Sequence, residues 1–256
     1  MKKKMLLLPP ALALGMVALS AAPAMADHAE GSYGVTLNEI NNSGASGEAW
    51  IDVVGAEATV TINASGLAAE FDGNPYPHVQ HIHIGAQGVC PDMEADENGD
   101  GIISTTEGAP SYGDIGTTLS VGDADKSPDA GLDLTVSPSG PTIEYMETFE
   151  LNEETQDALA DGTAVVVVHG LDPATQPEGA TEPSDLVPEL PLAATSPALC
   201  GALEMQPAGG ADTGVVTAAS STDETSATSM LALGGALVVA AAGGAFLLGR
   251  RVKATK

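Results

Sequence analysis

The sequence carries very little positive charge. Eight Lys and Arg residues stand against 35 Asp and Glu residues, which gives a formal net charge of −27 at pH 7. All the acidic residues lie between Asp27 and Glu224, and Lys126 is the one basic residue in that range. A field of this sign repels nucleic acid, so a nucleic-acid partner is excluded, whereas solubility and cation uptake are favoured.

Cysteine is also scarce, since Cys90 and Cys200 are the only two. If the chain is exported, as its two ends indicate below, the oxidising setting predicts one disulfide between them. Such a bond would close a loop of about 110 residues and stabilise the fold by roughly 4–5 kcal/mol through the unfolded state. We find no internal repeat and no LPxTG wall-attachment signal.

The N-terminus has the pattern of a secretory signal. Three lysines at positions 2–4 precede an apolar run, and Ala24-Met25-Ala26 supplies the small residues of a cleavage site. We therefore predict a signal peptide over residues 1–26 and a mature chain that begins near Asp27.

The C-terminus has the pattern of a membrane anchor. Residues 230–249 form an uncharged apolar run of 20 residues, long enough to cross a bilayer as a helix. Two arginines and a lysine follow, which predicts a cytoplasmic tail over residues 250–256. Residues 207–229 are rich in Gly, Ala, Ser and Thr and indicate a flexible stalk. The sequence thus predicts an exported domain anchored in the cell membrane; it names no protein partner.

Residues 27–206 have the pattern of an all-β domain. Short runs rich in β-branched residues, several of them alternating polar and apolar, are separated by Gly, Asn, Asp and Pro clusters. Residues 152–162 are the one helical candidate, closed by Gly162. Eight strands and few helices favour a sandwich or a flattened Greek-key barrel. The predicted strands are residues 32–40, 47–54, 58–67, 78–85, 131–136, 142–151, 163–170 and 198–206.

Three of the five histidines lie within the stretch "PHVQHIHIG", residues 77–85. On a strand His81 and His83 share one face, while Ile82 and Ile84 point to the other, into the core. Their Cα atoms would be about 6.5–7 Å apart, a span that one metal ion can bridge, and imidazole suits copper and zinc. An H-x-H pair taken alone fits a solvated strand face equally well, so both interpretations stay open at this point.

Four short motifs, "HIHIG", "GVC", "VVVVHG" and "PALCGALEMQ", occur in this order and resemble those of the copper/zinc superoxide dismutase family. The resemblance extends from the first predicted strand to the last. It implies the Greek-key β-barrel of the Cu/Zn superoxide dismutase type and a copper site. The residues to which it assigns roles are His81, His83 and His169 as copper ligands, and Cys90 and Cys200 as the disulfide.

The metal ligands of that family are incomplete in this chain. For a fourth copper histidine only His78 or His28 is left, and His78 would reach the metal only if the chain bends before the strand. No histidine lies between Cys90 and Gly116, where the family has its bridging and zinc histidines. Asp114 matches the position of the zinc aspartate, but without histidine partners a zinc site of the family type is not expected.

Charges that favour dismutation are also missing. The family has an arginine just before the late cysteine, where this chain has Pro197 and no basic residue. The loop over residues 171–191 holds five acidic residues and no Lys or Arg, so its field would repel superoxide, which is an anion. The resemblance therefore implies a copper site, whereas superoxide dismutase activity is expected to be weak or absent.

Residues 96–107, "DENGDGIISTTE", match the EF-hand calcium-loop template at every defined position. Oxygen ligands at positions 1, 3 and 5 converge on a hard cation, a glycine permits the sharp turn, and a glutamate closes the site. Flanking helices are not predicted, because prolines and a glycine lie close on both sides. An acidic surface turn is the alternative. The predicted calcium ligands are Asp96, Asn98, Asp100, the Ile102 carbonyl, Ser104 and Glu107.

Two functions follow from these patterns. The first is a membrane-anchored, extracellular, superoxide dismutase-like copper protein with an inserted calcium loop. The alternative is a non-catalytic surface module or metal buffer, stabilised by calcium and the disulfide.

Overall fold

The computed structural model describes residues 29–207, which fold into antiparallel β-structure with a few short helices. The α-helices are α1 (Thr105–Tyr112), α2 (Glu153–Ala160) and α3 (Leu192–Thr195). The strands are β1 (Gly31–Glu39), β2 (Ser46–Val54), β3 (Glu57–Ser65), β4 (Glu70–Phe71), β5 (Asn74–Pro75), β6 (Gln80–Ile84), β7 (Asp114–Thr118), β8 (Thr142–Glu150), β9 (Val165–His169), β10 (Pro197–Ala202) and β11 (Glu204–Met205).

The main sheet runs in the order β7-β6-β9-β10-β1-β2-β3-β8, and β11 adds to β1. Every pair in it is antiparallel. The sheet curls so that the chain following β7 meets β8: the Tyr145 hydroxyl donates to the Ser120 carbonyl (3.2 Å), and the Gly122 N–H donates to the Glu147 carboxylate (2.7 Å). The all-β prediction is confirmed, in the form of a curled antiparallel sheet.

The burial of the strands shows which parts of the sheet are covered. On β2 the apolar residues Ala49, Ile51 and Val53 are buried and the residues that alternate with them are exposed, so one face of this strand meets the core and the other meets water. On β9 every residue is buried. The strand is covered on both faces, because the segment from Cys90 to the end of α1 folds over its outer face.

We call this segment, residues 90–112, the covering segment. A disulfide joins Cys90 to Cys200 on β10, as expected for the only two cysteines. Ile103 and Tyr112 of the covering segment are buried in a cluster with Cys200 and with two valines of β9, separate from the main core. Ile103, which is position 8 of the calcium template, therefore packs on the sheet.

One predicted strand is absent from the structure, and the sheet contains a strand that the sequence did not predict. Residues 131–136 form no strand; instead the Asp133 carboxylate accepts from the Thr135 N–H and caps a 3-10 turn over Leu134–Val136. A short polar side chain that bonds its own backbone competes with sheet pairing, and that local bond prevails here. Strand β7 was not predicted, because Ile115 is its one large apolar residue and a bulge interrupts its pairing with β6.

The helix expected over residues 152–162 is confirmed as α2. The Asn152 side chain accepts from the Thr155 N–H and starts the helix, and Gly162 follows its end with a φ of +69°. The helix after the template loop is longer than the sequence indicated: α1 has eight residues and runs through Gly108 and Pro110.

The predicted signal peptide (1–26), nearly all of the stalk (207–229), the anchor helix (230–249) and the cytoplasmic tail (250–256) lie outside the described residues. Within residues 29–207, no helix is long and apolar enough to cross a membrane.

Asn41 fastens the covering segment to the sheet. Its side-chain amide donates to the carbonyls of Ile103 and Pro197 (3.0 Å each), and its amide oxygen accepts from the Ile103 N–H (2.7 Å). The side chain therefore pairs with Ile103 as a neighbouring strand would. It is buried, so no water replaces these three bonds when it is removed.

Replacing Asn41 with Gly is expected to lower the free energy of unfolding by about 3 kcal/mol, because three buried backbone groups lose their partner. Asn42→Gly is the matched control. Both residues have a positive φ (57° and 50°), which glycine adopts without strain, but Asn42 is exposed. Urea denaturation should show a change of less than about 0.5 kcal/mol for the control. Equal losses in the two variants would contradict the role of the Asn41 amide.

Candidate metal centre

The pairing of β6 with β9 brings three histidines onto one face of the sheet. His81 lies opposite Val167 in the register, so the two residues share a face. His169 follows Val167 by two residues on the same strand and points to the same side. The imidazole centroids are 5.4 Å apart for His81 and His83, 5.3 Å for His81 and His169, and 5.9 Å for His83 and His169.

Each of these imidazoles has one nitrogen held by a backbone carbonyl and one without a partner. Because a carbonyl only accepts, the nitrogen that faces it carries the hydrogen, and the other nitrogen of the neutral ring has a lone pair. His81 Nδ1, His83 Nε2 and His169 Nε2 are these buried, unpartnered atoms. The carbonyl contacts are His81 Nε2 to Gly131 O (3.0 Å), His83 Nδ1 to Gly113 O (2.8 Å) and His169 Nδ1 to Thr195 O (2.7 Å).

This arrangement fits a metal ion. One nitrogen from each of the three histidines lies within 4.8 Å of the others, and all three side chains are buried. Ring orientation fixed by carbonyls on the outer nitrogens is the usual support of metal-binding histidines. Among residues 29–207, no second group of three His, Cys, Asp or Glu side chains gathers its ligand atoms as closely.

Burial keeps the three rings neutral. It lowers the pKa of His83 from 6.5 to about 4 and that of His169 to about 3, where the neighbouring His83 adds to the effect. The pKa of His81 is also lowered, first by burial and then by His169 and His83. The neutral imidazole is the form that binds a metal, so the folded chain holds the site ready at neutral pH.

In the metal-free protein, these pKa values predict a loss of stability in acid. Below about pH 6.5 the unfolded chain takes up protons at His83 that the folded chain refuses, so the free energy of unfolding falls as the pH falls from 6.5 toward 4. A shift from 6.5 to about 4 corresponds to roughly 3 kcal/mol at the acid end of this window.

Chemical denaturation at a series of pH values measures this loss. Carboxylates titrate in the same range, so His83→Gln serves as the control and is expected to lose stability less steeply between pH 6.5 and 4. Parallel curves for the variant and the wild type would contradict the low pKa of His83.

The structure does not bring His78 to this centre, and its prediction as a fourth copper ligand is corrected here. Its Nδ1 lies 2.9 Å from the His169 carbonyl and its Nε2 lies 2.9 Å from the Ala68 carbonyl, while its ring stacks on Tyr76. Neither nitrogen points to the three-histidine group. His78 precedes His81 by three residues, an odd spacing, which on a strand places the two side chains on opposite faces.

A cavity of about 470 Å³ opens above the three histidines. Thr105 at the start of α1 lines it, and its hydroxyl donates to the Thr195 carbonyl, which also accepts from His169. Asp114 is the one Asp, Glu, Lys or Arg residue in the lining. No sequence pattern indicated these supporting contacts, because they join segments distant along the chain.

The predicted calcium ligands lie in one loop, but they bond to the loop's own backbone. Asp96 accepts from the Gly99 and Gly101 N–H groups, Asn98 from the Asp100 N–H, and Asp100 from the Ile102 N–H. Ile102 is buried.

Glu107 closes this loop. One of its carboxylate oxygens accepts from the N–H groups of Glu97 and Asn98, and the other accepts from the Ser104 N–H. Ser104 caps α1 and donates its hydroxyl to Asp185 (2.9 Å), so the loop is tied to the segment that follows β9. The loop is thus closed on itself by hydrogen bonds from its own backbone to Glu107.

No family model matches the chain, and no curated protein sequence matches it. Two solved structures of superoxide dismutase 5 from Candida albicans, one a mutant and one with Cu(II), are similar to it in structure. They are 12% and 13% identical to this chain and cover 73% of it and 99% of their own length, each with a TM-score of 0.38. A TM-score of this size assigns neither a family nor a function to the chain.

Proposed function

We propose that this protein binds copper at His81, His83 and His169, as a divergent, exported protein of the copper/zinc superoxide dismutase type. The observation that supports the proposal most directly is the set of three buried imidazole nitrogens that face one another without partners. An unpartnered buried nitrogen is costly, and three of them in one place are explained by an ion that binds all three. The sequence motifs around His81, His169 and Cys200 favour copper as that ion.

The chain's own residues determine how copper would be held. The carbonyls of Gly113, Gly131 and Thr195 orient the three rings, and all three side chains are buried. Bound copper would supply a centre that alternates between Cu(II) and Cu(I). Three imidazoles also suit zinc, so the metal is a matter for direct measurement.

We propose further that superoxide dismutation by this protein is slow or absent. No Lys or Arg lines the cavity above the histidines. Lys126 donates to the Ser120 and Gly122 carbonyls (2.8 Å each) and lies over the Phe149 ring. Asp114 is the one Asp, Glu, Lys or Arg residue among those that line it. An approaching anion therefore meets negative potential, which lowers the rate of encounter.

Copper stoichiometry, together with turnover of superoxide, tests this function. The full-length chain in detergent, freed of metal, is titrated with copper and with zinc. We expect one copper per chain, nitrogen hyperfine structure in its EPR spectrum, and dismutation well below that of an enzyme with positive charge at its copper. Copper retained without any dismutation would favour the metal-buffer alternative, and no retained copper would refute the copper site and leave the non-catalytic surface module.

We propose separately that the protein is exported and anchored at the cell surface by the two ends of its chain. The signal at 1–26, the stalk from residue 207 and the apolar run at 230–249 support export and anchoring at the cell surface. Deleting residues 230–256 is expected to move the protein from the membrane fraction to the medium. A protein that stays in the membrane fraction after this deletion would contradict anchoring by this segment.

We also propose that the loop of residues 96–107 binds structural calcium. The complete template supports it, and occupancy outside the cell needs only weak affinity. Calorimetry is expected to show calcium binding and a rise in melting temperature for the wild type, and neither effect for Asp100→Ala.

Asp92→Ala is the matched control for the calcium experiment. Asp92 and Asp100 each accept from the N–H two residues on (3.0 and 2.8 Å), but Asp92 lies outside the template. The control should bind calcium as the wild type does. A wild type without calcium heat, or an Asp100→Ala variant that keeps it, would contradict the proposal.

A further inference from the structure

We propose that the cavity above the three histidines binds a neutral, largely apolar organic molecule that carries one lone-pair nitrogen donor. Apolar side chains would hold the body of this molecule, and its donor atom would reach the metal. The second half of this inference rests on the proposed copper site, whereas the first half rests on the cavity alone.

The lining of the cavity is mostly apolar. Its apolar side chains come mainly from β7, from the connection between β7 and β8, and from the segment before α3, and α1 contributes a further part of the lining. A cavity of about 470 Å³ falls within the range of about 300–1,000 Å³ typical of small-molecule sites. The main apolar contributors are Ile115, Leu132, Leu134, Leu186, Val187 and Leu190.

The rim of the cavity exposes apolar side chains to water. Leu132 is 54% exposed and Leu186 is 43% exposed, although each neighbours an aspartate in a very acidic chain. The two leucines belong to different segments and both line the same cavity. Exposed apolar groups that border a concave site, with charged residues outside it, are typical of ligand-binding surfaces.

The polar groups of the cavity select the kind of ligand. Three unpartnered imidazole nitrogens lie at its floor, and no basic side chain lines it. An inorganic anion would find no positive side chain and would lie beside Asp114 and the apolar wall. A metal ion with three protein ligands still accepts an outside donor, so a neutral nitrogen base with an apolar body matches both the floor and the wall.

The first experiment compares 4-phenylimidazole with imidazole on the copper-loaded, full-length chain in detergent at pH 8. The copper EPR spectrum follows binding, because it reports only on the centre. The phenyl ring is expected to improve affinity by roughly tenfold to hundredfold over imidazole, from the apolar surface that it buries. Azide, a small anion, is expected to bind no more tightly than imidazole.

Rim variants show whether the apolar wall causes this preference. The pair Leu132→Asp and Leu186→Asp is expected to remove the preference for phenylimidazole and to leave imidazole affinity unchanged. The matched control is Val54→Asp with Met146→Asp, which are 72% and 70% exposed and do not line the cavity. This control should keep the full preference in the same detergent.

A metal-free measurement separates the cavity from the copper site. Binding of 4-(4-fluorophenyl)imidazole to the metal-free chain, followed by ¹⁹F NMR, is expected to saturate in the wild type and to be lost in the rim pair. If copper is not retained but this binding is seen, the proposed function fails and the apolar cavity stands. If copper is retained and phenylimidazole shows no preference, or azide binds best, the inference is overturned. If the probes bind neither the copper-loaded nor the metal-free chain, for example because another segment of protein fills the cavity, the inference is overturned as well.

Discussion

Replacing His81 with Ala is expected to weaken copper binding by at least about a hundredfold. His81 contributes one of the three converging nitrogens, and loss of only an outer contact of a metal ligand already costs about 10- to 100-fold in affinity. The remaining two imidazoles would have to share the ion with water. Competition titration with a chelator of known copper affinity measures the change.

Two further variants make this result specific. His81→Gln keeps most of the side-chain volume and is expected to lose copper in the same way, so a fold defect does not explain the loss. His78→Ala is the contrasting variant, because His78 is buried and near the centre but faces two carbonyls. It is expected to lower the free energy of unfolding by about 2–4 kcal/mol while one copper per chain is retained.

The copper assignment would be wrong if His81→Ala bound copper as the wild type does. The assignment of the three ligands would also be wrong if the His78→Ala variant remained folded but lost the metal. The first outcome would indicate that copper binds elsewhere on the acidic surface, and the second that His78 turns toward the ion when metal is present.

Replacing both cysteines with Ala is expected to lower the free energy of unfolding by about 4 kcal/mol. The disulfide closes a loop of 110 residues, and in the chain-entropy model a loop of that length restricts the unfolded state by about 4–5 kcal/mol. Cys200 is fully buried, so its truncation also removes packing from the cluster beneath the covering segment.

Urea denaturation with and without reductant measures the contribution of the disulfide. Reductant should destabilise the wild type by a similar amount and leave the double Ala variant unchanged. The variant should also bind copper more weakly, because Gly113, which orients His83, directly follows the covering segment. A wild type that unfolds at the same urea concentration in both conditions would contradict a stabilising disulfide.

The sequence predicted much of the sheet, because strand alternation is a local property. On β3 the residues Ala58, Val60, Ile62 and Ala64 are buried and their neighbours face outward, and this period of two is visible in the sequence. The same reasoning failed at residues 131–136, where one aspartate bonds to its own backbone. It also failed at β7, whose burial depends on β6 and α2 rather than on its own composition.

The histidine centre, too, was predictable from the sequence only in part. Alternation along a strand was sufficient to place His81 and His83 on one face. The addition of His169 depended on the resemblance, and in the structure it follows from the pairing of β6 with β9. For His78 the sequence indicated that the chain would have to bend before the strand, whereas in the structure its two ring nitrogens lie at the His169 and Ala68 carbonyls instead.

The sequence by itself determined the acidic charge, the single pair of cysteines, the period of the strands and the order of the motifs. Only the tertiary structure decided which ring nitrogens are unpartnered, which carbonyls orient the rings, and that an apolar cavity covers them. The physical reason is the range of the interactions. Strand period and charge depend on neighbours in the chain, whereas Gly131, Thr195 and the rim leucines meet the histidines only because the sheet curls and its long connections fold back over β6 and β9.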